Sequence, residues 1–287
     1  MTLQDAPRAY ALPDGRMRLT HGPIDLVITA IGDAGAVGAT MARARAAFHP
    51  ILHELAAELP RLRLSQGADP AGKTAKSMCD ATRPFQPRFI TPMAAVAGAV
   101  ADYILCAMLA KNHGLSRAIV NNGGDIALWQ SSGEMTLAIC ENPIMQSAGA
   151  TAKIAAGSGI HGVATSGWRG RSYSLGIADA VTVLAKNAAT ADAAATLIAN
   201  AVNLPYHPAI TRQPACDLSP DSDLGARPVT TNVGAINAAD TATALAAGRA
   251  LAQNYVKRGL VIGVCLALNG QREIAGSAIE SKEPAHA

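Results

Sequence analysis

The stretch AIVNNGGDIALWQSSGEMTLAIC, residues 118–140, decides the fold class. Apolar and small residues run from Ala118 to Asn122, from Ile126 to Trp129 and from Met135 to Cys140, each run short and strand-like. Gly123-Gly124 interrupts the first pair, as a bulge or a place where backbone must come close to something else. Ser131-Ser132-Gly133 supplies a hairpin turn between the second pair. Strands this close in sequence pair with their neighbours in antiparallel fashion, because a parallel pair needs a crossover of about a dozen residues or more.

The pattern continues outward. RMRLT and IDLVITA flank His21-Gly22-Pro23 as a hairpin over Arg16 to Thr29. Gly162 to Thr165 and Ser172 to Gly176 flank SGWRG as a second one, and Val181 to Ala185 is an apolar strand. Leu260 to Leu268 is a buried strand returning through Asn269-Gly270 into REIAG. Helical spacing marks Val37 to Leu59, which Pro50 should kink or split, and a helix opened by Thr91-Pro92 that stops at Gly114. An Ala-rich helix starts near Thr190 and runs to about Ala201, and a last one runs from about Ala238 to Lys257. Pro205 to Pro228 has no apolar period and reads as a long surface loop. Paired strands without a helix between each strand and the next predict an α+β fold, a largely antiparallel sheet with packed helices. Residues 1–287 are expected to form a single domain, with a flexible tail at 279–287.

With 49% hydrophobic and 16% charged residues, the chain can bury a substantial core. A formal charge of +3 without a basic run, and aromatics at 3%, argue against nucleic acid as a partner. No apolar run approaches the ~20 residues that span a bilayer, and MTLQDAPRAYALPDGR lacks the apolar core of a signal peptide. The cysteines Cys79, Cys106, Cys140, Cys216 and Cys265 are odd in number and form no CxxC, so neither a disulfide framework nor a zinc site is expected. The expected location is the cytoplasm. Long β-rich segments leave room for a homo-oligomer.

Several clusters could carry chemistry. Asp192 and Thr196 lie four residues apart at the start of a helix and project from one face. They could offer two hard oxygen ligands to Mg²⁺, or Asp192 could simply complement the helix dipole. Asn122, Gly123, Gly124 and Asp125 combine a flexible backbone with a carboxylate able to accept from a ribose or a metal-bound water; the plainer alternative is a bulge with a turn aspartate. Thr165, Ser166 and Gly167 offer hydroxyls, with Arg169 and Arg171 behind them either to neutralise a pyrophosphate or to stay solvated. His161 could titrate near neutrality, or serve the strand start structurally. GADPAGKT, residues 67–74, satisfies the P-loop expression with Lys73 at its catalytic position, but RLRLSQ before it is a polar run where a buried strand is required. Cys79, near Arg83 and Arg88, could have a lowered thiol pKa or be an ordinary unreactive cysteine.

Taken in order, VNNGGDIAL, VATSG, VTVLA and TADAAAT resemble the signature segments of the ApbE superfamily, the FAD:protein FMN transferases. RFITPMAAVAGAVAD and ATSGWRGRSYSLGIADAVTVLA resemble more narrowly a soluble branch of that superfamily without an assigned reaction. The resemblance covers Ile90 to Leu204 and implies an ApbE-like, T-fold-like architecture. It also implies FAD or FMN as ligand with Mg²⁺, a small-molecule nucleotide as partner, and cleavage or transfer across the FAD pyrophosphate. On the matching positions, Asp192 and Thr196 would hold the metal. Asp125 would contact the flavin nucleotide, and Thr165, Ser166 and Gly167 would border its pocket. Asn122, Gly123, Gly124 and Arg169 join them as binding candidates from the residues themselves, and Asp125 and His161 are the candidate catalytic groups. The HxxDPxTG-type segment of the transferases has no counterpart, since only WRGRSYSLGIADA separates TSG from VTV. The alternative is therefore a non-catalytic nucleotide-binding accessory protein, and a third reading is a P-loop hydrolase using Lys73. No protein acceptor is identifiable.

Overall fold

A computed structural model describes residues 6–110, 112–142 and 147–281. The elements in order are strands β1 Arg8–Ala11, β2 Met17–His21 and β3 Ile24–Gly32, then helices α1 Ala34–Phe48, α2 Ile51–Leu62 and α3 Lys73–Thr82. Two short 3-10 turns, Arg83–Phe85 and Pro92–Ala95, lead into helix α4 Val96–Met108. Strands β4 Leu115–Asn122, β5 Asp125–Gln130, β6 Glu134–Asn142, β7 Ser147–Ala155, β8 Gly162–Ser166 and β9 Ala180–Ala185 follow, then helix α5 Ala188–Ala201. The chain ends with β10 Ile210–Pro214, α6 Ala215–Leu218, β11 Pro228–Val233, α7 Ala238–Lys257, β12 Gly263–Leu268, β13 Gln271–Gly276 and β14 Ile279–Ser281. Each strand pair with a resolved register is antiparallel, so the expected α+β class, a large antiparallel sheet with packed helices, is what the chain forms.

The chain divides into two compact units, residues 1–133, 155–164 and 186–193 in the first and 134–154, 165–185 and 194–287 in the second. In the first, β1 to β5 are hydrogen-bonded in sequence order, and the start of β8 joins β5 through Ile126↔Val163 and Ala127↔Gly162. Strand β3 reads apolar on alternate residues, and Leu26 and Ile28 are fully buried, as half-covered antiparallel strands require. Helices α1 and α4 pack on this sheet, α4 burying Val100, Ile104 and Met108. Pro50 splits the expected long helix outright: α1 stops at Phe48 and α2 begins at Ile51. The Thr91-Pro92 start opens as a 3-10 turn before α4, which ends at Met108, short of Gly114.

In the second unit β12 lies between β9 and β13, with α7 packed on β12 and β13. Strands β14, β7 and β6 form a three-stranded sheet, and β10 and β11 a two-stranded one. Asn269 and Gly270, at φ 50° and 76°, make the tight turn expected between β12 and β13. Two expectations fail here. Ser172 to Gly176 is not a strand: the Leu175 N–H donates to the Asn200 side chain, and the Ser174 carbonyl accepts a single bond from the Thr230 N–H. The expected loop Pro205 to Pro228 instead contains β10, α6 and the first residue of β11. Of the expected tail, Ile279–Ser281 pairs with β7, while 282–287 lie outside the described residues. No helix among the described residues is long and apolar enough to cross a membrane.

Candidate functional site

In the first unit, Asn122 and Asp125 face each other as the last register pair of β4 and β5, so Gly123 and Gly124 are the whole turn between them. Both glycines have positive φ, 67° and 114°, and the Asn121 side chain accepts from the Gly124 N–H at 2.8 Å. That is hairpin geometry, in which glycine is needed by the backbone. A Cβ on Gly124 would meet nothing within 4 Å, so the close backbone approach the sequence suggested there is not what fixes that glycine. Asn122 is buried at 6% exposure, and its amide donates to the Ala97 carbonyl at the start of α4.

Two helices then exchange carboxylates. The Gly98 N–H in the first turn of α4 donates to Asp192 of α5 at 3.0 Å. Asp102 of α4 in turn accepts from the Ala188 and Ala189 N–H groups, at 2.9 and 2.8 Å, in the first turn of α5. The first N–H groups of any helix lack intrahelical partners and carry partial positive charge, so a carboxylate is the natural occupant. Asn187 adds a local cap, its side chain accepting from the Thr190 N–H at 2.8 Å. The helices can approach this closely because residue 98 is glycine: a Cβ there would stand 2.3 Å from the Ala188 carbonyl oxygen.

This packing sets the charges. Burial, then the neighbouring Asp125 carboxylate, push the Asp192 carboxyl well up; the Gly98 and Ala97 N–H groups pull it back, and Asp102 adds a further push upward. Burial raises Asp102 to about 6 against the pull of the Ala189 and Ala188 N–H groups and of the His161 ring. His161 is exposed, with Nδ1 3.3 Å from the Leu128 carbonyl oxygen. The first unit thus brings together Asn122, Asp125 and Asp192 around the start of α4, with His161 acting on Asp102. Sequence reading missed Asp102, whose only signal was an acid among the apolar residues of VAGAVADYILCAM. Thr196 lies one turn further along α5, in the part of that helix that belongs to the second unit. Among the described residues, no group of three or more His, Cys, Asp or Glu is arranged to hold a metal ion.

The second unit holds the other predicted residues. The Thr165 hydroxyl is 2.8 Å from that of Thr182 on β9, and Ser166 ends β8. A Cβ on Gly167 would stand 2.5 Å from the Asp179 carbonyl oxygen, so here glycine does permit a close approach, to the chain's own backbone. Arg169 donates Nε to Asp179 at 2.5 Å and stacks over Trp168 at 4.5 Å. Asp179, 7% exposed and unforeseen, also accepts from Trp168 Nε1 at 3.3 Å and the Asn269 N–H at 2.7 Å. The guanidinium expected to meet a pyrophosphate is engaged by this acid.

Two further sequence readings change. The P-loop expression is preceded by helix α2 where a buried strand is required. Its Gly72 N–H donates to Glu58 Oε1 at 2.6 Å, and Thr74, which would have to reach a metal, is 2% exposed. Burial pushes the Cys79 thiol up, outweighing Arg61 and Arg83.

An antiparallel α+β chain with acids seated on two helix N-termini beside a Gly-Gly hairpin is the class these features define. The chain belongs to the family described as AbpE bacteria, whose model matches residues 9–274, and so to the ApbE-like superfamily its motifs resemble. It is similar to the UPF0280 protein of Methanothrix thermoacetophila, 40% identical over 136 residues that cover 47% of this chain and 54% of that one. It is likewise similar to the UPF0280 protein of Methanocaldococcus jannaschii, 43% identical over 115 residues covering 39% and 45%. The chain spans about half the length of the curated relatives it matches. The solved structures it is similar to include the flavinyl transferase ApbE of Pseudomonas stutzeri in apo form, with TM-score 0.40, 12% identity and 96% of each chain covered. Another is the flavin transferase ApbE of Vibrio cholerae, with TM-score 0.45, 12% identity, and 95% and 97% covered.

Proposed function

We propose that this chain is a nucleotide-binding member of its family that does not transfer flavin, with a flavin nucleotide as the first ligand to test. The observation that carries the reading is the Asp192 carboxylate fixed by the Gly98 N–H at 3.0 Å in the first unit, where burial first and the Asp125 carboxylate second push its carboxyl up. Like charges held together under partial burial are relieved by a proton or by a cation, and a cation in turn attracts phosphate. The donors fit such an ion in part. Asp192 and Asp125, both in the first unit, offer hard oxygens, but Asp192 already accepts from Gly98. Mg²⁺ bound there would draw its remaining ligands from water and the phosphates, and would supply charge neutralisation on those phosphates.

The interval Trp168 to Ala180 speaks against transfer. It lacks the transferases' motif, and its Trp168, Arg169 and Asp179 side chains are engaged with one another. The P-loop reading finds no support, because the motif has no strand before it and Glu58 sits on its Gly72 N–H. Free thiols at all five cysteines suit a reducing compartment, in keeping with the cytoplasm.

The test is thermal unfolding with FAD, FMN or ADP, each with and without Mg²⁺, alongside chromatography of the nucleotide afterwards. A Mg²⁺-dependent rise in Tm with the nucleotide recovered intact is the expected result. Asp192→Asn keeps an acceptor for Gly98 but removes the charge, so it should abolish the Mg²⁺-dependent part alone. No shift with any nucleotide would refute binding, and conversion of FAD to FMN and AMP would restore the catalytic reading.

A further inference from the structure

The two-stranded sheet of β10 and β11, within the second unit, carries an arginine with no acid partner among the described residues. Arg212 of β10 pairs in register with Thr230 of β11, and residues paired directly across antiparallel strands project from the same face. The half-buried Arg212 side chain donates Nη2 to Asn203 Oδ1 at 2.5 Å, its one hydrogen bond among the described residues. Asn203 is itself anchored, its amide donating to the Leu175 carbonyl at 3.0 Å and its Oδ1 also accepting from the Leu204 N–H at 2.9 Å. Asp217, Asp221 and Asp223 lie on the connection from β10 to β11, yet burial holds Arg212 below the usual arginine value with no carboxylate to offset it. The Thr230 hydroxyl, on the same face, is buried at 5% exposure and has no hydrogen-bond partner, while the Thr230 N–H donates away from β10 to the Ser174 carbonyl at 2.8 Å.

A guanidinium partly withdrawn from water without a counter-charge is costly, and so is a buried hydroxyl with nothing to bond. One kind of ligand group relieves both. A neutral acceptor would leave the charge uncompensated, and a cation would be repelled. An oxyanion meets the planar guanidinium with two oxygens at once. Asn203 takes one Nη2 proton, which leaves one such two-donor edge of Arg212 open. We propose that Arg212 and Thr230 bind the oxyanion group, carboxylate or phosphate, of a small molecule, the guanidinium taking two oxygens and the hydroxyl donating to the ligand beside it. The guanidinium is the entrance, being partly open to solvent, and rotation of the Arg212 side chain, which is held at Nη2 alone, uncovers the hydroxyl. The pair shares no residue with the α4–α5 junction, so the proposal stands apart from the nucleotide reading.

The probe is inorganic phosphate, its phosphorus NMR linewidth followed as the full chain is titrated in at constant ionic strength without Mg²⁺. The expected result is saturable one-to-one binding, weakened roughly tenfold or more by Arg212→Gln, as loss of a charge-assisted contact implies. Arg212→Lys keeps the charge but not the two-donor edge and should weaken it less. Thr230→Val should also weaken it, yet leave Tm unchanged or raised, because the hydroxyl it removes has no partner to lose. Asp192→Asn should leave the affinity as it is. Displacement of phosphate by acetate assigns the site to carboxylates as well, and displacement by ADP but not acetate assigns it to phosphates. Circular dichroism confirms that each variant is folded. The proposal is overturned by the absence of saturable binding, by equal affinity in Arg212→Gln, by a lower Tm with unchanged affinity in Thr230→Val, by binding lost in Asp192→Asn, or by displacement with neither competitor.

Discussion

Replacing Gly98 with alanine tests the α4–α5 junction most directly. The added Cβ would stand 2.3 Å from the Ala188 carbonyl oxygen, 2.4 Å from the Ala188 carbonyl carbon and 2.7 Å from the Ala189 nitrogen, all backbone atoms that cannot rotate away. Restoring an ordinary contact of about 3.4 Å requires the helices to part by about 1 Å. The N–H contacts of Asp192 and Asp102, now 2.8 to 3.0 Å, would then reach about 4 Å, beyond hydrogen-bonding range. Overpacking costs about 1–3 kcal/mol, and each weakened charge-assisted bond about 1.5–3 kcal/mol before any relaxation. Against this stands a gain of up to about 1 kcal/mol for alanine over glycine within a helix. A net loss of about 2–4 kcal/mol is expected, a fall in Tm of roughly 5–15 °C for a chain of this size. Gly38→Ala is the control, since that glycine also lies within a helix, α1, and its added Cβ meets nothing within 4 Å. It should raise Tm slightly. If the two variants melted together, the close approach of α4 to the start of α5 would be wrong.

Three further outcomes follow from the same contacts. Because the Asp102 value is raised to about 6, the stability it contributes is fully present below about pH 4 and lost as pH rises through about 6. Urea midpoints across that window should fall by an amount on the order of 2–3 kcal/mol and flatten in Asp102→Asn; parallel curves would count against the assignment. Asp179→Ala removes the acceptor shared by Trp168, Arg169 and the Asn269 N–H and should cost about 2–4 kcal/mol, with a change in Trp168 emission, whereas an unshifted midpoint would refute the latch. Alkylation followed by mass spectrometry should label exposed Cys106 first, and buried Cys79 and Cys265 last, Cys265 being pushed up to about 12; early labelling of Cys79 would contradict its burial.

What was legible in the sequence is what short-range chemistry decides. Asn269-Gly270 announces its turn because both residues tolerate positive φ, and the Asn122–Asp125 pair follows from two glycines between strand-forming runs. The break at Pro50 needs no partner elsewhere in the chain. The two segments misread in the second unit both have distant partners. Ser172 to Gly176 looks like a strand until Asn200, some 25 positions away, takes its Leu175 N–H. β10 hides among prolines because its reason to extend is β11. Asp102 gave no sign of its role, since the N–H groups it holds lie 86 and 87 residues downstream.

Asp192 shows why a carboxylate at a helix start resists assignment from sequence. Its spacing from Thr196 suggested either a metal ligand or a complement to its own helix dipole. It does meet a helix N-terminus, but that of α4, and its Gly98 contact occupies Oδ2. A carboxylate has about four lone-pair positions, so this contact and a cation are compatible demands. The N–H groups hold the side chain in place, while burial and then Asp125 make its negative charge costly. A group fixed in position, yet disfavoured as a bare anion, gains most from a counter-ion, because little orientation remains to be lost on binding. The same contacts that make Asp192 structural are therefore the ones that would prepare it to bind.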